Sequence, residues 1–423
     1  MRKIISLTSL PISLNFYQFN ASDFGQKWVK QEMEIYTAWQ KRAENLNVKF
    51  DFVYTGPEQR AFYTVLENSP IEYVVGDVHG DLNQLLLNLI GSGIARFAPG
   101  QPPFIFINPK TGQKSHNVEE ICSSGNYWEE LRMIPHLQFV GDAKAHVTFL
   151  GDILDRGASA DACFYSLVDL CRQQAESKTD RRLHWVFGDH EIYGLMPHCP
   201  LMALSPPNYK SNIAKRDNDL ALMAWAIADA IEKRYLTYAH VGRNGVLYSH
   251  SFITEAFITK FCNELISEEP VHRAVSRAER PQEEIEKVID AAERIKSGGD
   301  QNSITILVDH FNLSLVAAAR LFKIPRNAHL ILNLCLFEIE NNGTSPIFTR
   351  ANPLPLMHAV GHTAQLNNTV KQEGKEIYNF DTAACYAIEQ RGYSEPRLCR
   401  INPDGTIEVG EIGNSETEFK ITI

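Results

Sequence analysis

The chain has no basic excess, no cysteine pairing and no long apolar run, and each absence excludes a class of protein. It carries 41 Lys and Arg against 51 Asp and Glu, a formal net charge of −10 over 423 residues. An acidic chain is poorly suited to neutralising a phosphate backbone, so no nucleic-acid partner is expected. A small basic pocket for one phosphate group is still allowed. The 8 cysteines are scattered and none stands in a CxxC pair. Neither a zinc site nor a disulfide framework is indicated, and reduced thiols in a reducing, cytoplasmic compartment are expected. The nearest approach to a membrane helix is residues 220–231, LALMAWAIADAI, which Asp229 interrupts. That is well short of the ~20 residues a span needs, so no membrane span is expected. The N-terminus imitates a signal peptide only faintly, with Ser, Thr and Pro diluting its core, and an opening strand is the reading.

What is present is ordinary globular usage, 44% apolar and 22% charged. The length suits two to three domains or one large α/β unit with insertions. Residues 1–70 read as a lead-in with a helical stretch at about 23–45. From 71 the pattern alternates. Apolar runs at 71–75, 146–150, 183–187, 245–249, 356–360 and 376–380 read as strands, and helical stretches follow at about 81–95, 158–176 and 217–233. Strands alternating with helices indicate an α/β core, and near-continuous apolar runs indicate strands buried on both faces. Residues 96–145, rich in Pro, Gly, Asn and Ser, read as a surface insertion within a first core half at 71–253. Residues 254–345 read as a helical insertion, with one helix opening at Pro281 and another from about Ser314 to Phe322. It is either a protruding cap or a layer packed on the sheet. Residues 346–423 complete the core, ending in two strands joined by Asn402-Pro403-Asp404-Gly405, a hairpin-turn signal.

The chemistry sits where strands end. IEYVV is followed by Gly76-Asp77-Val78-His79-Gly80, HVTFL by Gly151-Asp152-Ile153-Leu154-Asp155-Arg156-Gly157, and LHWVF by Gly188-Asp189-His190-Glu191. GVLYS is followed by His250, and LMHAV by Gly361-His362-Thr363. Ligands of open α/β sheets gather at the carboxyl ends of strands. Carboxylates and imidazoles gathered there suit a dinuclear metal site, because a carboxylate can bridge two ions. Asp77 and His79 are two apart, so on an extended end they share a side and could chelate one ion. His240 and His358 are rival ligands, but they sit inside their strands rather than after them.

In this order, GDVHG, GDILDRG, GDHE, SHS and GHT closely resemble the motifs of the calcineurin-like metallophosphoesterases, phosphoprotein phosphatase branch, from about 71 to 381. The resemblance implies a two-sheet β-sandwich flanked by helices, here with a helical insertion. It implies a metal-dependent phosphomonoester hydrolase acting on phosphoproteins (Ser/Thr or Tyr), with a hydroxide bridging two divalent ions as attacking group. Mn²⁺ is the first expectation for those ions, with Fe, Zn or Mg as alternatives. By the same resemblance Asp77 and His79 hold the first ion, Asp152 bridges both, and Asp189, His250 and His362 hold the second. His190 is the proton donor, oriented by Asp155, while Arg156 and, on a looser match, Arg350 grip the phosphate. Bacterial enzymes that cleave diadenosine tetraphosphate share these motifs and supply the alternative function; a phosphoprotein-binding pseudophosphatase is a third. Some bacterial effectors secreted into a host cytosol follow a similar plan. The family has Asn where this chain has Asp189. A carboxylate binds a cation more strongly than an amide but cannot donate to a phosphate oxygen. Oligomeric state is not legible.

Overall fold

The structure, a computed structural model, describes residues 4–6, 15–17, 50–54, 71–116, 118–121, 131–141, 145–154, 159–191, 217–251, 253, 255–265, 280–297, 300–322, 357–361, 371–372, 377–380, 398–402 and 406–412. It is a mixed α/β structure. Twelve strands build its two larger sheets: β1 (Phe50–Tyr54), β2 (Glu72–Val75), β3 (His146–Phe149), β4 (Leu183–Val186), β5 (Leu236–Thr237), β6 (Ala239–Val241), β7 (Leu247–Ser249), β8 (His358–Val360), β9 (Lys371–Gln372), β10 (Ile377–Asn379), β11 (Leu398–Ile401) and β12 (Ile407–Ile412).

The first sheet runs β5-β4-β3-β2-β11-β12-β1. Its centre is parallel, with Phe149 paired to Val75 on one side and to Trp185 on the other. β3 and β4 are buried at every position, as strands covered on both faces must be. β11, β12 and β1 extend this sheet antiparallel, and Ile401 pairs with Ile407 across the expected Asn-Pro-Asp-Gly hairpin. The second sheet runs β6-β7-β8-β10-β9, parallel through β7, β8 and β10. One apolar cluster draws on both sheets: Val74, Leu150 and Val186 from the first, Tyr248, Ala359 and Phe380 from the second.

Helices pack against both sheets. α1 (Leu82–Gly91) starts at Asp81, whose side chain accepts from the Asn83 and Gln84 amides. That cap satisfies donors a helix start leaves orphaned. A short helical turn, α2 (Val118–Ile121), precedes α3 (Ala160–Ser177), which buries Phe164 against Trp185 with ring centroids 5.1 Å apart. The remaining helices are α4 (Asp217–Glu232), α5 (Glu255–Leu265), α6 (Gln282–Lys296) and α7 (Gln301–Phe322). α6 buries Ile285, Val288, Ala291, Ala292 and Ile295, and Ile289 beside them is half-buried. α7 starts at Gln301 rather than near Ser314, because Asp300 caps it through the Ser303 amide at 2.7 Å. It packs Phe311 among Tyr238, Phe257 and Phe261, and Asn312 Oδ1 accepts from the Tyr238 amide at 2.7 Å. Between residues 96 and 145, strand Phe104–Ile107 pairs with Lys114–Ser115 and Arg132–Pro135, and it buries all four of its side chains. The helical stretch read at 23–45 lies outside the described residues. No helix among the described residues is long and apolar enough to cross a membrane.

Candidate metal centre

Adjacent parallel strands end side by side, so the turns after β2, β3 and β4 meet. Their backbones interlock. Val78 and His79 N–H both donate to Asp152 O, at 3.1 and 2.7 Å, and Gly80 N–H donates to Ile153 O at 2.8 Å. His79 and Asp152 take up φ of 47° and 50°, left-handed values that side chains adopt at a cost and that cluster at functional sites. Gly151, at φ 100°, is required twice over: a Cβ there would lie 2.8 Å from the Gly188 backbone.

Glu191 fastens the turns after β3 and β4 together. Its carboxylate accepts from the amides of Gly188 (2.8 Å), Asp152 (3.0 Å), Ile153 (2.9 Å) and Leu154 (3.2 Å). It is fully buried, and burial raises its pKa against the pull of those donors. Within GDHE, Glu191 carries no role that the sequence alone assigns. The signal was there, an acidic residue in a Gly-Asp turn, but its four donors come from two separate loops.

Asp152 is the hub. Its Oδ2 lies 3.6 Å from His79 Nε2 and 3.7 Å from His190 Nε2, and its Oδ1 lies 3.4 Å from His250 Nε2. Asp77 Oδ2 stands 3.7 Å from His79 Nε2, and Asp189 Oδ1 stands 3.0 Å from His250 Nε2. All six residues are buried. Their donor atoms form two triads with spacing suited to a cation, His79-Asp152-His190 and Asp77-Asp152-His250, sharing Asp152.

The imidazoles are aimed from behind. His250 Nδ1 lies 2.7 Å from Leu150 O, and a carbonyl only accepts, so Nδ1 carries the proton and Nε2 faces Asp152 and Asp189. His79 Nδ1 faces Leu154 O in the same way at 3.4 Å. Such carbonyl partners are the usual outer support of metal-binding histidines. The electrostatics fit a cation as well. Burial, then the charge of Asp189, push the Asp152 carboxyl well above the usual carboxylate range. Burial pulls the His250 pKa down, but the bond to Asp189 and the charge of Asp77 outweigh it and raise it to about 9. Three carboxylates crowded away from water call for positive charge, and oxygen plus neutral imidazole donors suit divalent ions.

Of the residues singled out from the sequence, Asp77, His79, Asp152, Asp189, His190 and His250 converge. His190 was expected as a proton donor, and here its ring also stands edge-on to His79 with centroids 4.6 Å apart. Asp155, Arg156, Arg350 and His362 lie outside the described residues. The rivals sit elsewhere: His240 stacks on His184 and His358 bonds Ser249.

No family model matches the sequence, and no curated protein matches it. Solved structures do superpose on it. A cold-active protein-tyrosine phosphatase of a psychrophile Shewanella sp. is 14% identical over 81% of this chain and 80% of that one, with a TM-score of 0.33. A putative diadenosine tetraphosphatase is 12% identical over 82% and 96%, with a TM-score of 0.30. A protein serine/threonine phosphatase from Saccharomyces cerevisiae is 10% identical over 93% and 92%, with a TM-score of 0.36. Superpositions this loose carry no argument about chemistry, which rests on the residues.

Proposed function

We propose that this chain is a metal-dependent phosphoprotein phosphatase that hydrolyses phosphomonoesters of Ser/Thr or Tyr. One observation carries the reading: four strand ends bring Asp77, His79, Asp152, His190 and His250 into two cation-sized groups that share Asp152, with Asp189 against His250 at 3.0 Å. The five motifs in family order supply the reaction class. We read the two sheets as layers of a helix-flanked β-sandwich, because one apolar cluster draws on both. The helices between 255 and 322 then form the helical insertion.

By the family pattern Asp77 and His79 would hold one divalent ion, Asp189, His250 and His362 the other, with Asp152 shared. The tightest donor groups instead join His79 to His190 and Asp77 to His250, but Asp77 and His79 at 3.7 Å are close enough to share an ion as the pattern has it. Two such ions, Mn²⁺ by expectation, would supply Lewis acidity toward the phosphoryl group and lower the pKa of bound water. Arg156 and Arg350 would neutralise charge on the phosphate oxygens, a task the guanidinium fork suits. His190 would give the departing oxygen its proton, with Asp155 orienting the ring.

The test is a panel of phosphoserine, phosphothreonine and phosphotyrosine peptides, diadenosine tetraphosphate and para-nitrophenyl phosphate, each with Mn²⁺ and with chelator. Phosphate release from the peptides that Mn²⁺ supports and chelator abolishes is expected. Cleavage of the dinucleotide alone would replace the proposed substrate class, and turnover indifferent to chelator would end the metal-dependent reading.

A further inference from the structure

The second sheet holds a histidine that the chemistry above leaves unused. His358 lies in β8, 1% exposed, with its Nε2 2.6 Å from Ser249 Oγ. Tyr248 and Ala359 belong to the cluster shared by the two sheets, so strand alternation sends Ser249 and His358 to the opposite face. Ser249 ends β7, and its hydroxyl donates to Ser251 O at 2.5 Å. A hydroxyl has one proton to give, so the Nε2–H of His358 must be the donor to Oγ. The result is a one-way chain from imidazole to hydroxyl to carbonyl, and it brackets His250 from both sides.

A second bond holds the same turn. Gly361 N–H donates to His250 O at 2.9 Å, and Gly361 directly follows β8. Gly361, just past β8, therefore holds the His250 turn by its backbone, and the His358 ring holds it at Ser249, whose hydroxyl ties on to Ser251 O. The backbone that carries the His250 imidazole is thus fixed on both sides of the residue. Burial keeps the His358 ring neutral, its pKa pulled down to about 3, so it steadies the turn without adding charge.

We propose that His358 is a positioning residue for the metal centre, acting through Ser249 to aim His250 Nε2 at Asp152 and Asp189. The proposal rests on the metal-dependent reading above. Its test is calorimetric titration with Mn²⁺ alone on the full chain, for wild type, His358→Phe, His358→Asn and Ser249→Ala. Phe keeps the ring volume without a donor, whereas Asn restores an N–H. Wild type is expected to bind two ions. His358→Phe and Ser249→Ala should bind one of them roughly 10- to 100-fold more weakly, the range for outer supports of a metal ligand, and the other unchanged. His358→Asn should recover part of the loss, and the visible absorption of the Co²⁺-loaded protein should shift in His358→Phe. A wild type that binds no Mn²⁺ would sink the metal reading and this proposal together. Two ions in wild type, with His358→Phe matching it in affinity and Co²⁺ spectrum, would sink the positioning role alone. So would equal weakening of both ions. Should His358→Phe fail to fold, wild-type binding by Ser249→Ala decides against the proposal.

Discussion

The two ends of the parallel strands both collect histidines, and they treat them in opposite ways. Beyond the carboxyl ends, His250 is surrounded by Asp77, Asp152 and Asp189, and its pKa rises to about 9. Near the amino ends, His184 stacks on His240 at 3.6 Å, His146 stacks on His184 at 6.0 Å, and His240 on Tyr248 at 5.8 Å. The charged neighbours of that stack are mainly Arg181, Arg182 and Arg243, with Asp180 opposing them, and burial leads the shifts. His146 falls to about 4 and His240 to about 3, so these rings are neutral. Both ends are dry. Carboxylates pull the pKa of a buried imidazole up at one end, and their near absence leaves burial to push it down at the other.

The largest break in this contrast is Asp152→Asn. Both triads use Asp152, so its loss should weaken both ions and cut metal-dependent hydrolysis by more than the roughly 100-fold at the top of the range for outer-support changes. The same substitution removes a charge from three crowded carboxylates and keeps an oxygen for the His190 amide, which bonds Asp152 Oδ1 at 3.0 Å. The melting temperature measured in chelator should therefore rise while activity falls. A melting temperature that drops would mean that the crowding is not the strain described here. This opposition between stability and function is common where like charges are gathered for chemistry.

The meeting of Asp77, His79, Asp152, Asp189, His190 and His250 is legible in the sequence, because each follows an apolar run, all but His250 through a Gly, and a strand end needs no partner to be recognised. Glu191 was visible as a letter but not as a clamp, since its four backbone donors depend on how two turns meet. The histidine stack was invisible. His146, His184 and His240 are far apart in sequence, and only the parallel register of β3 with β4 and the approach of β6 bring them together. His358 is a poor ligand candidate from sequence because it lies within a strand, and its bond to Ser249 depends on the β7–β8 register. The start of α7 is not legible because Asn302 and Ser303 have weak helix preference, and Asp300 compensates from outside the helix.

The stack supplies the middle-sized test, His240→Phe. The folded pKa of His240, about 3, lies below the ordinary 6.5, so the unfolded chain binds more protons than the folded one between those values. Its contribution to stability is present above pH 6.5 and is lost as pH falls toward 3. Phe cannot take the proton and keeps a ring against His184. Urea unfolding at pH 7 and pH 5 should show wild type losing on the order of 2 kcal/mol more than His240→Phe over that interval. Glu72 acts with the opposite sign. Burial raises its carboxyl to about 7, so its contribution is present below pH 4.5 and lost as pH rises through 7. Equal losses in wild type and variant would show that the stack does not carry the acid sensitivity.

The smallest effect sharpens the contrast from outside. Arg243 and Asp180 form an ion pair at 2.8 Å near the stack, as short as any carboxylate contact at the metal centre, yet both side chains are more than half exposed. Water screens such a pair and its side-chain entropy cancels much of the attraction, so many exposed pairs contribute nothing measurable. The Arg243 backbone N–H donates to Glu72 independently of that side chain, so the loop keeps its anchor without the ion pair. Asp180→Asn should leave the urea midpoint unchanged at pH 7. Any residual effect should vanish in 1 M salt, where the screening length is about 3 Å. A clear, salt-resistant loss would mean that charge at this end of the strands is as desolvated as it is around Asp152, and the distinction between the two ends would then rest on partners alone and not on exposure.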